Sequence, residues 1–297
     1  FRKLKILDKK DYLILEYNNF TKKGYKDFKV ELPKKINLDN ELIYFFGLWC
    51  GDRSGGKRFG ICNQNINVIN FTEYFLKKYN QKIEKILYIT KNTPEPEMDH
   101  DKKFIIDKEI RGWVLSTHTN NGIFASFFYY LQSHLNEFLT MISNRFPFFA
   151  GLFDAEGNVS LYNKSLRWAC KKDNLIKIYS NNLKELNLFD GYDGNSIICY
   201  NVNEFYKKIF PYMKHNNKIN MIKFLYNGEG NLSKDLMDIL KIIKINSDIT
   251  SKEIAKALKK NKVYSELGLL KKFGFISQNN YPYTYKINEK GLKSIGV

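Results

Sequence analysis

Two acids carry the chemistry this sequence suggests. Asp52 closes the apolar run LIYFFGLWCGD, and Glu156 closes FPFFAGLFDAE 104 residues further on. Two carboxylates held close repel each other, and negative charge is unfavourable at a helix C-terminus. A divalent cation relieves both problems. Mg²⁺ binds through one or two carboxylates and keeps water and phosphate among its ligands. A metal so held activates water and stabilises the leaving oxygen of a phosphodiester. The expectation is that Asp52 and Glu156 bind Mg²⁺, with Mn²⁺ as its substitute; a helix-terminal or turn role for Asp52 and a solvated Glu156 are the structural alternative.

The elements that must position this pair follow from small residues. Gly47 and Gly51 are four apart, as are Gly151 and Ala155, so each pair lies on one helix face. Facing each other, they let two backbones approach closely, while Phe46, Leu48, Phe149 and Leu152 fill the flanking cores. If the helices run parallel, the two acids meet at their C-terminal ends. Asp39 and Asn40 are alternative caps for the first helix. After each helix come turn residues and strand-like segments, KRFGICN in one case, NVSLYN and SLRWACK in the other. A further helix follows in each, NFTEYFLKKYNQK and NLIKIYSNNLKEL, so the pattern is that of a duplicated α+β unit. TKNTPEPEMDHDKK at 90–103 reads as a loop, and 121–142 as one amphipathic helix closing the first half.

The flanks differ in rhythm. LKIL, YLILEY and FKVEL within 1–32 read as short strands. Beyond Gly228 and Gly230, a natural linker, helices are expected at about 232–245, 251–259 and 262–273, with Thr250 and Glu253 as a capping box. FISQNNYPYTYKINEKG then reads as a hairpin, which completes a winged-helix outline. The expected domains are a β-rich extension at 1–32, a first half at 33–143, a second at 144–228 and a winged-helix-like domain at 229–297.

Charge indicates the partner. The chain has 48 Lys plus Arg against 31 Asp plus Glu, a net charge of +17. That excess favours an anionic partner such as nucleic acid, with a Lys-rich solvated surface as the plain alternative. The four cysteines form no C-x-x-C pair, which argues against a disulfide framework or a Cys-rich zinc site. The expectation is an intracellular protein, cytoplasmic or nucleoid-associated, with no membrane partner, because no run of 18 apolar residues occurs and no signal peptide is evident. Phe1 leads to the expectation that native sequence precedes it.

AGLFDAEGN at 150–158 resembles the helix motif of the LAGLIDADG homing endonucleases, and FGLWCGDRS at 46–54 is a weaker copy. The resemblance covers roughly 30–228. It implies an α+β fold of two αββαββα units arranged as a monomeric pseudo-dimer, similar to endonuclease domains of archaeal inteins. The motif helices would form the central interface, antiparallel sheets a saddle over the DNA major groove, and the last acid of each motif the metal site, which makes Asp52 and Glu156 the implied catalytic pair. Cys50 replaces the first acid of the first motif, whereas Asp154 retains it in the second. Arg53 stands where the motif has glycine, and Ser54, Gly55 and Gly56 follow to absorb the change. Lys218, in HNNKINM, resembles the lysine that follows the second repeat in intein-type members, where it would polarise water or stabilise phosphate charge. Lys102 or Lys103 is the first-half candidate. Neither a nucleophile at the first residue nor a terminal His-Asn pair is present, so splicing is not expected.

Sequence recognition needs polar side chains on an extended surface, backed by phosphate contacts. Lys57, Arg58, Asn63, Gln64 and Asn65 follow the first acid, and Asn158, Ser160, Tyr162, Asn163, Lys164, Arg167, Lys171 and Lys172 follow the second. Several are expected on DNA-facing strands. Lys259, Lys260, Lys262, Tyr264 and Ser265 surround the expected recognition helix, with Asn279, Asn280 and Tyr281 in the wing. The leading reading is a site-specific, metal-dependent endonuclease of double-stranded DNA. The alternatives are an inactive DNA-binding transcriptional regulator and an RNA-binding intron maturase.

Overall fold

A computed structural model describes residues 4–10, 12–21, 24–34, 36–54, 58–106, 112–161, 163–170, 173–228, 232, 234–279 and 283–296. The chain divides into two compact units, 1–156 with 212–215, and 157–211 with 216–297.

The first unit opens with an antiparallel meander of β1 (Leu4–Asp8), β2 (Tyr12–Thr21) and β3 (Gly24–Pro33). Helix α1 (Asn40–Asp52) follows. Asp39 is its cap, accepting from the Leu42 N–H at 2.9 Å. Every residue of α1 from Leu42 to Trp49 is buried, which is why the run carries no polar stripe. Then come β4 (Phe59–Asn63), α2 (Ile66–Lys78), β5 (Glu84–Thr90), β6 (Lys102–Ile106) and β7 (Trp113–Thr119). These strands form one sheet in the order β4-β7-β5-β6, antiparallel except where β6 runs parallel to β5.

Where one helix is expected at 121–142 there are two, α3 (Gly122–Ser133) and α4 (Leu135–Met141), because His134 leaves helical geometry at φ −116°, ψ 37°. Helix α5 (Phe146–Glu156) follows, and the segment Tyr212–His215 joins the same unit from later in the chain. Its core is aromatic. Phe45 stacks on Phe75 with centroids 3.9 Å apart, Phe46 meets Phe138 edge-on at 5.1 Å, and Phe128 lies 4.6 Å from Phe59.

The second unit begins with β8 (Gly157–Ser160), β9 (Ser165–Ala169), α6 (Asp173–Glu185), β10 (Gly191–Asp193), β11 (Ser196–Cys199), α7 (Val202–Lys208) and α8 (Asn216–Asn227). Its sheet is antiparallel throughout, in the order β10-β11-β9-β8. In register, Val159, Leu166, Trp168, Ile197 and Cys199 share the buried face, and Asn158, Arg167 and Asp193 share the other.

The two sheets are threaded alike. In the first unit, Arg53 bridges Ile61, and Ser54 N–H donates to the Gly60 carbonyl at 2.9 Å, so a vestigial strand lies beside β4. Counting it, the helix–strand–strand–helix–strand–strand–helix path of α5 to α7 also describes α1 to α3, with β6 as an added edge strand.

The C-terminal part of the second unit contains α9 (Lys234–Ile245), β12 (Ile249–Thr250), α10 (Ser251–Ala257), α11 (Tyr264–Lys272), β13 (Ile276–Gln278), β14 (Thr284–Ile287) and α12 (Glu289–Ser294). Its strands pair in the order β12-β14-β13. The Thr250/Glu253 capping box is formed. Gly228 is more than a linker residue: at φ +71° it lies under Phe273, leaving no room for a Cβ. Phe224 of α8 packs on Phe273 and Phe275, at 5.3 and 5.8 Å. Gly230 lies outside the described residues. Among those described, no helix is long and apolar enough to cross a membrane.

Candidate active site at the ends of the paired helices

Helices α1 and α5 lie backbone against backbone. A Cβ on Gly47 would stand 1.9 Å from the Phe148 carbonyl oxygen, and one on Gly151 would stand 2.0 Å from the Tyr44 carbonyl oxygen. One turn on, a Cβ on Gly51 would meet the Ala155 Cβ at 2.4 Å and the Glu156 Cγ at 3.0 Å. The contacts advance together along both helices, so the pair is parallel and the helices end together. The four small residues anticipated at this interface all lie in it.

Asp52 and Glu156 therefore come to the same end of the pair, both half-buried. Asn63, at the end of β4, donates its side-chain amide to Asp52 Oδ2 at 2.5 Å. The orientation of that amide is set locally, because its Oδ1 accepts the Asn65 N–H at 2.7 Å. Two carboxylates are a sufficient protein donor set for Mg²⁺, which completes its shell with water and phosphate. Among the described residues no larger group of His, Cys, Asp and Glu side chains stands ready to hold a metal. Tyr44 is fully buried two turns back along α1. Burial, reinforced by the charges of Asp154 and Asp52, holds its phenol well above the usual tyrosine range.

No family model, curated protein or solved structure matches this chain. The geometry of the site therefore stands by itself.

The other expected site residues separate into distinct situations. Lys218 lies in the first turn of α8, in the second unit. Lys102 and Lys103, on β6, are ion-paired with Glu84 and Glu95. Arg58 donates to the Tyr88 hydroxyl at 2.5 Å, and Gln64 is exposed in the turn after β4. Asn65 is not a strand residue. It caps α2, with Oδ1 accepting from the Asn67 and Val68 N–H groups, so its oxygen is committed to the helix. In the second unit Asn158 is exposed on β8, and Arg167 on β9 pairs with Asp193. Ser160 Oγ accepts the Asn163 N–H at 3.1 Å. Lys164 sits in the turn at φ +51°, off the strands. Lys57, Tyr162, Lys171 and Lys172 lie outside the described residues, as do Gly55, Gly56, Asn280 and Tyr281.

In the C-terminal part, Lys259 and Lys262 are exposed ahead of α11, and Tyr264 is exposed at its start. Lys260 turns inward instead, with Asp235 at 2.9 Å and Glu266 at 3.6 Å. Asn279 is tied to Asp248 at 2.7 Å and to Thr284 at 3.1 Å, which braces the hairpin.

His215 is the residue sequence reasoning missed. It lies 3.4 Å from the Asn65 side-chain amide, one residue before α8. A histidine at an N-terminal helix boundary was the available signal.

Proposed function

We propose that this chain is a metal-dependent endonuclease of double-stranded DNA, of the LAGLIDADG homing type, with Asp52 and Glu156 as its metal ligands. The observation that carries the reading is the glycine-to-backbone contact of α1 with α5, which leaves one acid from each helix at a shared end. Such an arrangement would be self-repelling without a cation. Bound Mg²⁺ would supply an activated water and stabilise charge on the leaving oxygen. Asp52 and Glu156 would hold it, and Asn63 keeps Asp52 in one orientation. The polar face bearing Asn158 and Arg167 suits base and phosphate contacts, and the net charge of +17 suits the backbone of a long duplex.

A second reading has its own support. The helix–strand–helix–helix–strand–strand order of the C-terminal part is that of winged-helix DNA binders, which fits a regulator without nuclease activity. One experiment separates the two. The chain is incubated with a randomised duplex library and Mg²⁺, and bound and cut fragments are sequenced. The endonuclease gives enriched cut ends that disappear in Asp52→Asn and Glu156→Gln, while duplex binding persists. Enriched binding with no cuts in any of the three proteins refutes the nuclease and supports the regulator. A parallel incubation with a structured RNA pool covers the remaining case: enrichment there, with neither binding nor cutting of the duplex library, refutes both.

A further inference from the structure

One difference between the two motifs removes an acid. Cys50 stands in the first where Asp154 stands in the second. Asp154 is fully buried on α5. Its Oδ2 accepts from the Tyr44 hydroxyl at 2.6 Å, the Lys214 N–H at 2.6 Å and the His215 N–H at 3.2 Å. A carboxylate withdrawn from water persists only with such donors. This acid is therefore engaged in fixing the segment Tyr212–His215. That segment is stitched down elsewhere too. Asn144 donates to the Tyr212 hydroxyl at 3.0 Å, and the Lys214 ammonium lies over the rings of Phe71 and Tyr44, at 4.6 and 5.1 Å.

With its backbone fixed, His215 meets Asn65. Because Asn65 Oδ1 is committed to the α2 cap, the atom facing His215 Nδ1 is the amide nitrogen, a donor. The ring nitrogen must then accept, which specifies a neutral imidazole with its proton on Nε2. The Asn65 N–H in turn orients Asn63, and Asn63 donates to Asp52. Each link admits one donor–acceptor direction.

We infer that Asp154 and His215 are positioning residues for Asp52, acting through Asn65 and Asn63. The acid of one motif thus sets the orientation of the acid of the other. The effect on metal binding rests on the proposed function, whereas the linkage belongs to the metal-free protein.

Two measurements on the full chain test this separately. In nitrogen-15 spectra without metal, His215 Nδ1 is expected to be unprotonated. The Asn63 side-chain amide signal is expected to move in His215→Ala and to return toward its original position in His215→Gln, whose oxygen can accept from Asn65. An unmoved Asn63 signal, or a proton on Nδ1, overturns the inference. In Mn²⁺ titrations, removing an outer partner of a ligand typically weakens affinity by about 10- to 100-fold. Asn63 is that outer partner; His215→Ala and Asp154→Asn, which reach Asp52 only through Asn65 and Asn63, are expected to weaken affinity by a smaller factor, roughly 2- to 10-fold, with His215→Gln close to the parent. Mn²⁺ affinity unchanged in His215→Ala also overturns the inference. A parent protein that binds no Mn²⁺ refutes the metal site alone, and the Asn63 signal then decides the linkage. If Asp154→Asn does not fold, the half-buried His215 pair still gives both readings.

Discussion

Gly47→Ala tests the helix contact on which the site depends. The added methyl would start 1.9 Å from the Phe148 carbonyl oxygen, where ordinary contact begins near 3.4 Å, so the helices must part by about 1.5 Å. The obstructing atom is backbone, which no rotamer change can move aside. Overpacking of a core costs typically ~1–3 kcal/mol, and this rigid obstacle belongs at the upper end. The better helix propensity of alanine offsets ~1 kcal/mol. The net loss is then ~2 kcal/mol, or roughly 4–8 °C in Tm for a unit of this size. Urea denaturation is the assay, read as a lowered midpoint at unchanged slope.

Gly268→Ala is the control. That glycine is exposed within α11, and a Cβ there meets nothing within 4 Å. It should stabilise by ~0.5–1 kcal/mol through propensity and a less flexible unfolded chain. If Gly47→Ala behaves like Gly268→Ala, the backbones of α1 and α5 are not in contact, and the shared acid site loses its foundation. Adding Gly151→Ala to Gly47→Ala should cost less than it does alone, because the first methyl has already parted the helices.

Two further outcomes are expected. His118 is wholly buried, with Ser116 Oγ 3.0 Å from its Nδ1, Glu84 3.5 Å from its Nε2, and Arg58 acting on its charge. Burial, with Arg58 adding to it, lowers its pKa against the opposing pull of Glu84. The unfolded chain thus takes up a proton first, so stability should be full above about pH 6.5 and fall as pH drops toward the folded value. His118→Gln should flatten that dependence in urea midpoints, and an unchanged slope would refute the assignment. Lys262 is exposed ahead of α11. If it contacts phosphate, Lys262→Ala should weaken duplex binding uniformly across sequences and reduce the salt slope by about one, measured by anisotropy at several salt concentrations.

Much of the helix pair was legible, for a local reason. An apolar run with no polar stripe and small residues four apart has few ways to be satisfied other than burial against a like helix. The capping box at Thr250 and the strands around Val159 and Trp168 were equally local in their signals. What stayed hidden depended on partners remote in sequence. The break at His134 interrupts an apolar rhythm without glycine or proline to mark it. β6 pairs in parallel with β5, although the Pro- and acid-rich stretch that ends at residues 102–103 has the composition of a loop. Lys260 looks like a DNA contact until Asp235 and Glu266 are seen beside it. Asn63 and Asn65 are alike in type and only two apart in sequence, yet one serves an acid and the other a helix. Only the starting point of α2 separates them, and expecting that helix to begin at Asn70 rather than Ile66 left Asn65 among the strand residues.

The seat of Gly228 under Phe273 bears on how this protein can be dissected. A cut after α8 would strip the cover from Phe224 and present an aromatic surface to water, while the released piece would expose Phe273 and Phe275. The C-terminal part therefore cannot be excised or grafted as an independent cassette without redesigning that seam.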